Sequence, residues 1–150
     1  MTRTTKFPTG KVLISAAGLI PAVGAFLADW NKTHVYNPKW PPHAKFHNAQ
    51  TITLAVDMAG LTLWQLWKPG PLTRDRLRSA TMTGAMFWLT QLPAVFFPGA
   101  AFTDPDNPTQ PFTKFGVPVN QVTATAAMIL PLLAAGYVVE ARGLPLKAKP

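Results

Sequence analysis

All three histidines of the 150-residue chain, His34, His43 and His47, fall between Asp29 and Asp57. Trp30, Tyr36, Asn37, Trp40, Asn48 and Gln50 stand among them. Imidazole titrates near neutral pH and serves as general acid, general base or metal ligand, and a carboxylate can take or return a proton. This stretch therefore holds most of the acid/base and hydrogen-bonding chemistry of the chain. His43 and His47, four residues apart, have chelating spacing, and Asp29 could supply a third ligand. A bis-histidine haem is disfavoured because the other helices hold no opposite ligand. Glu140 is the only glutamate, which argues against a di-metal carboxylate centre. No cofactor or metal centre is expected, although the spacing leaves a metal on His43 and His47 open.

Pro41-Pro42 places a helix start at Pro42, because proline suits the first helical position. At 100° per residue, His43, His47, Gln50, Leu54, Asp57 and Leu61 then fall within about 40° of one line. Ten residues separate His47 from Asp57, a rise of about 15 Å, so the two cannot form a directly hydrogen-bonded pair. The third helix brings Gln91 to the level of Asp57, and Gln91 is its expected partner. Asp57 should face the bundle interior, since an acid exposed to lipid is costly. A carboxyl held neutral there can donate a hydrogen bond or a proton. Trp64 and Trp88 could wall a flat or isoprenoid-like molecule beside it. Asp29, His34, Asn37, Trp40 and Gln50 would contact the same molecule nearer the mouth.

The rest of the sequence sets where this chemistry sits. Charged residues make up 13% of the chain, against about 25% in soluble domains. Val12 to Ala28, Phe46 to Trp67, Ser79 to Thr103 and Phe115 to Val139 are nearly free of charge, and each approaches the roughly 20 residues that cross a bilayer. The expected fold is an all-α, polytopic four-helix transmembrane bundle forming a single domain over residues 1–150. Its helices are expected near 12–30, 42–67, 79–102 and 119–141. The net charge of +8 reflects orientation: ten of fourteen cations lie before the first run, between the second and third, or after the fourth, so both termini should face the cytoplasm. No basic stripe remains for nucleic acid. Pro21, Pro93 and Pro131 interrupt helices and should turn their kinks inward, where a neighbour can satisfy the freed carbonyls. A secretory signal is the alternative reading of the first run, against which its length and Pro21 count. The loops also share a faint repeat, Asn37-Pro38 with Pro41 against Asn107-Pro108 with Pro111, at an offset of 70. No phosphate-binding loop, nucleophile triad or zinc-protease motif is present.

The run Asn37-Pro38-Lys39-Trp40-Pro41-Pro42-His43-Ala44-Lys45-Phe46-His47-Asn48-Ala49-Gln50 resembles a motif of small four-helix membrane proteins of unknown function from bacteria and fungi. That resemblance implies a polytopic membrane architecture with the Trp-Pro-Pro-His and Phe-His elements at its working end. The arrangement is also loosely similar to emopamil-binding, sterol-isomerase-like membrane proteins, which use histidines and acids around a lipid cavity.

The leading expectation is a small integral membrane protein of the bacterial inner membrane or endoplasmic reticulum. It would bind or convert a lipophilic, isoprenoid- or lipid-like molecule in a cavity open to the non-cytoplasmic side. As an isomerase or cyclase it would use His43, His47 and Asp57 as acid/base residues. Expected partners are membrane lipids, that lipophilic molecule and, in the accessory-subunit alternative, a membrane protein. A small proton-coupled transporter is the third class.

Overall fold

Proline and threonine set the helix boundaries. A computed structural model describes residues 7–102 and 113–145. Helix α1 (Thr9–Asp29) follows Pro8. Helix α2 (Pro42–Trp67) opens on Pro42, as the Pro41-Pro42 pair predicts. Helix α3 (Arg74–Ala94) is capped by Thr73, whose Oγ1 accepts from the Arg76 amide at 3.1 Å. A two-residue antiparallel hairpin, β1 (Thr113–Lys114) and β2 (Val117–Pro118), precedes helix α4 (Gln121–Ala141). Among the described residues the remaining regular structure is all helical. The second copy of the loop repeat, Asn107-Pro108 with Pro111, lies outside the described residues.

The third helix departs most from the sequence expectation, beginning at Arg74 rather than Ser79 and ending at Ala94 rather than near 102. An uncharged run is a poor guide here because the arginines before it are helical, started by the Thr73 cap, and turns occupy the chain just after Pro93. α1 also begins earlier, at Thr9.

Small residues bring the helices together. α1 is central and packs on α2, α3 and α4. A Cβ on Gly10 would lie 2.4 Å from the Gly136 carbonyl oxygen, and one on Gly136 would lie 2.8 Å from Ile14 Cγ1, so α1 and α4 touch backbone to backbone. Thr62, fully buried, fills the space beside Gly18 and Gly84 and joins α1, α2 and α3. Close approach at glycine is how helices associate where lipid removes any hydrophobic advantage of packing.

Two arginines in the first turn of α3 close the C-terminal ends of its neighbours. The Arg76 guanidinium donates to the carbonyls of Gln65 (2.5 Å), Lys68 (2.7 Å) and Pro71 (3.2 Å), and Arg74 donates to those of Ala141 (2.8 Å) and Leu144 (3.1 Å). At the same end, Glu140 accepts from the Lys11 amide at 3.1 Å in the first turn of α1. The bonds to Gln65, Lys68 and Ala141, and that of Glu140, satisfy unpaired helix-end groups with the charge that the helix dipole favours, while those to Pro71 and Leu144 hold the segments that follow α2 and α4. They also bring the start of α1, the α2–α3 connection and the end of α4 to one end of the bundle.

Pro21 is buried as expected, and the Ala17 carbonyl it leaves without a helical donor accepts from Trp88 Nε1 at 3.2 Å. Pro93 and Pro131 are not buried, contrary to the inward kinks expected. At Pro131 the chain accommodates the missing donor within the helix itself: a π-helical turn, Thr125–Ile129, immediately precedes it, with the Leu130 amide donating to the Thr125 carbonyl. Helices α1 and α4 are long and apolar enough to cross a membrane.

Glycine substitutions test this packing. Gly136→Ala should cost about 1–3 kcal/mol through backbone displacement. Gly24→Ala, where nothing lies within 4 Å of the new Cβ, should be neutral or gain up to about 1 kcal/mol from helix propensity. Thermal unfolding of both variants in one detergent reads the contrast.

Candidate functional site

Packing decides which face of α2 is free. Its inward side is Ile52, Ala55, Ala59, Thr62 and Leu66, all buried against α1 and α3. That leaves His43, His47, Gln50, Leu54, Asp57 and Leu61 exposed along the opposite face. The six residues share a line as the spacing predicts, and the line points outward. Asp57 makes no hydrogen bond or ion pair with the described residues. It is therefore neither the floor of an interior cavity nor a partner of Gln91, which corrects both expectations. The polar clamp between α2 and α3 is instead Gln65 Nε2 donating to Thr83 Oγ1 at 3.2 Å.

The three histidines divide into two groups. His43 and His47 lie one turn apart, Nε2 to Nε2 at 3.1 Å, and His47 Nδ1 lies 3.2 Å from Gln50 Oε1. Phe46 packs against both rings, stacked on His43 at 6.2 Å and edge-on to His47 at 5.5 Å between centroids. His34 belongs to the connection between α1 and α2. Its Nε2 lies 3.8 Å from Asp29 Oδ1, its Nδ1 is 2.7 Å from Thr33 Oγ1, and its ring meets Trp40 edge-on at 4.9 Å. Asp29 thus pairs with His34 of the loop and does not join His43 and His47 as a third ligand.

Asn37 shapes the loop: its Nδ2 donates to the Thr33 carbonyl at 3.2 Å, and its Oδ1 accepts from the Lys39 amide at 2.9 Å. Asn31 and Thr33, not singled out from the sequence, complete the network, with Thr33 Oγ1 donating to Asn31 Oδ1 at 2.6 Å. Their signal was the run Asn-Lys-Thr-His directly after a helix, since Asn and Thr favour local side-chain turns there.

The remaining candidates lie apart. Gln91 lines a cleft of about 200 Å³ between the end of α3 and the start of α4, together with Val95, Phe102 and Gln121. Its Oε1 is buried without a hydrogen-bond partner among the described residues. Trp64 is exposed near the other end of the bundle, with Lys68 Nζ 4.1 Å over its ring. Trp88 is half-buried and donates to α1, which makes it part of the packing rather than a wall for a ligand. The geometry therefore offers an exposed histidine pair and, further along the same helix face, an exposed acid, beside a hydrogen-bonded loop.

Residues 13–148 match the model of a family described as a family of unknown function, DUF6640. No curated protein and no solved structure matches the chain.

The structural role of Trp88 has a direct test. Trp88→Phe should cost about 1–2 kcal/mol by leaving the Ala17 carbonyl without a donor. In a Pro21→Ala background, which supplies a backbone N–H to that carbonyl, the cost should fall by at least about 0.5 kcal/mol, as coupled neighbours show. A double-mutant cycle by thermal unfolding measures it, and equal costs in both backgrounds would refute the role.

Proposed function

The chain belongs to the DUF6640 family, and from that premise we propose that it is a four-span integral membrane protein acting as an accessory subunit. Its α2 outer face docks a transmembrane helix of a partner protein. One observation carries the reading: the acid and the histidine pair of α2 lie on the outside of the bundle. With α1 and α4 in the bilayer, α2 and α3 cross beside them, at 26 and 21 residues, or about 39 and 31 Å. The end of the bundle bearing Lys11, Arg74, Arg76 and Arg142 then faces the cytoplasm by the positive-inside rule.

An acid facing lipid near mid-span costs about 2.5–3.5 kcal/mol, and a partner that covers it offsets this. From His43 to Asp57 the polar line runs about 21 Å, the reach of a helix rather than of a compact ligand. Gly60, one turn beyond Asp57, has nothing within 4 Å of where a Cβ would stand and leaves room for close approach. A second copy related by a two-fold axis along the membrane normal would set Asp57 beside Asp57, two like charges. A different protein with Lys, Arg or His at that depth complements it.

The second reading is binding or conversion of a lipophilic molecule that reaches the same face from the bilayer. The His43–His47 contact favours it, because a hydrogen-bonded imidazole pair can relay a proton to a bound polar group.

A photoreactive residue at Leu54, used in native membranes, distinguishes the readings. The docking reading expects a one-to-one adduct with another protein whose crosslinked span carries Lys, Arg or His. Asp57→Leu should abolish that adduct while leaving thermal stability unchanged within about 0.5 kcal/mol, as for other exposed substitutions. An adduct with a second copy, with lipid alone, or with a partner independent of Asp57 would overturn it.

A further inference from the structure

We propose that His43 and His47 form a two-ligand site for a borderline divalent cation of the Zn²⁺, Ni²⁺ or Cu²⁺ class. The tautomer of His47 comes first. Gln50 Oε1 can only accept, so the His47 Nδ1 facing it at 3.2 Å carries the proton. The His47 Nε2 lone pair is therefore free and meets His43 Nε2 at 3.1 Å. A single proton on His43 Nε2 holds the pair together; when a metal ion takes its place, that proton moves to His43 Nδ1 and both imidazoles bind as neutral ligands.

The spacing suits that replacement. Metal–imidazole bonds of about 2.0–2.1 Å place two nitrogens about 2.9 Å apart at a right angle and about 3.3 Å apart at a tetrahedral angle. The observed 3.1 Å lies between them. Imidazole is the protein ligand these three cations share. Gln50 supplies what a metal-binding histidine requires of its other nitrogen, an acceptor that fixes the ring and raises its basicity. Both ligands stand on the first turns of a helix opened by Pro41-Pro42, with Phe46 packed against both rings, so little ordering remains for binding.

Among the described residues no three His, Asp or Glu converge. Coordination positions therefore remain for water or for an external donor. The site does not depend on the docking reading, since it is complete in the chain alone.

Titration of the purified, tag-free full-length protein with Zn²⁺ and Cu²⁺ provides the test. One equivalent should bind, and the Cu²⁺ adduct should show two imidazole nitrogens by electron spin-echo modulation. His43→Ala and His47→Ala should each weaken binding at least tenfold. Gln50→Leu, which removes only the positioning acceptor, should weaken it about 10–100-fold. Binding should weaken on acidification, because the metal competes with protons. Both histidines are exposed, and unchanged thermal unfolding of the variants without metal confirms that their folds are intact. One-equivalent binding that persists in the double alanine variant, no stoichiometric binding, or a site shared between two copies would overturn the proposal.

Discussion

Unpaired backbone groups must find partners when helices end or bend in an apolar setting, and this constraint organises the bundle. Arg74 and Arg76 answer it at two helix ends at once, reaching from the first turn of α3 to the final carbonyls of α4 and α2. Arg-to-carbonyl bonds carry charge, which makes them stronger than neutral ones. They also match the negative ends of the two helix dipoles. Glu140 provides the complementary arrangement at the start of α1. The same requirement inside the bundle is met by Trp88 at the carbonyl that Pro21 leaves open. Basic residues that a charge count assigns to topology thus also hold the helices in register.

With that end anchored, the lateral arrangement follows from side-chain size. Gly10 against Gly136, and Thr62 between Gly18 and Gly84, draw α1 into the centre. α2 reaches this centre through Ala55, Ala59 and Thr62, its small side. The polar line of α2 is on the other side because one helix cannot turn both faces inward. Asp57 is thereby left outside by the packing of its neighbours, not by a preference of its own.

This accounts for how much was legible. The all-helical class and the start of α2 at Pro42 were readable because apolar runs and a proline pair are local signals. The alignment of His43, His47, Gln50 and Asp57 was readable because helical periodicity sets it. The direction of that line was not, since the insertion cost of Asp57 argues for an inward face, whereas Ala55, Ala59 and Thr62 on the other side of α2 are the residues that pack. The packing follows the small residues. The shift of α3 was missed because arginines read as a loop are helical and bonded. Trp88 had the composition of a ligand wall, and only the three-dimensional meeting with Ala17 reveals its role.

The histidines show how local surroundings divide residues that look equivalent in sequence. His34 has both ring nitrogens near oxygens of its own segment, Asp29 and Thr33, and an indole at its edge, so its bonding capacity is spent on the loop. His43 and His47 have each other, Nε2 facing Nε2 at 3.1 Å, with Gln50 Oε1 beside the other nitrogen of His47. That pair is the group with coordination capacity left to offer. Asp57 lies a rise of about 15 Å further along the same face, too far to share a bond with it. One helix face therefore presents two separate chemical features at different positions along its length. A partner helix can engage both at once, whereas a small ligand at the histidines leaves the acid uncovered.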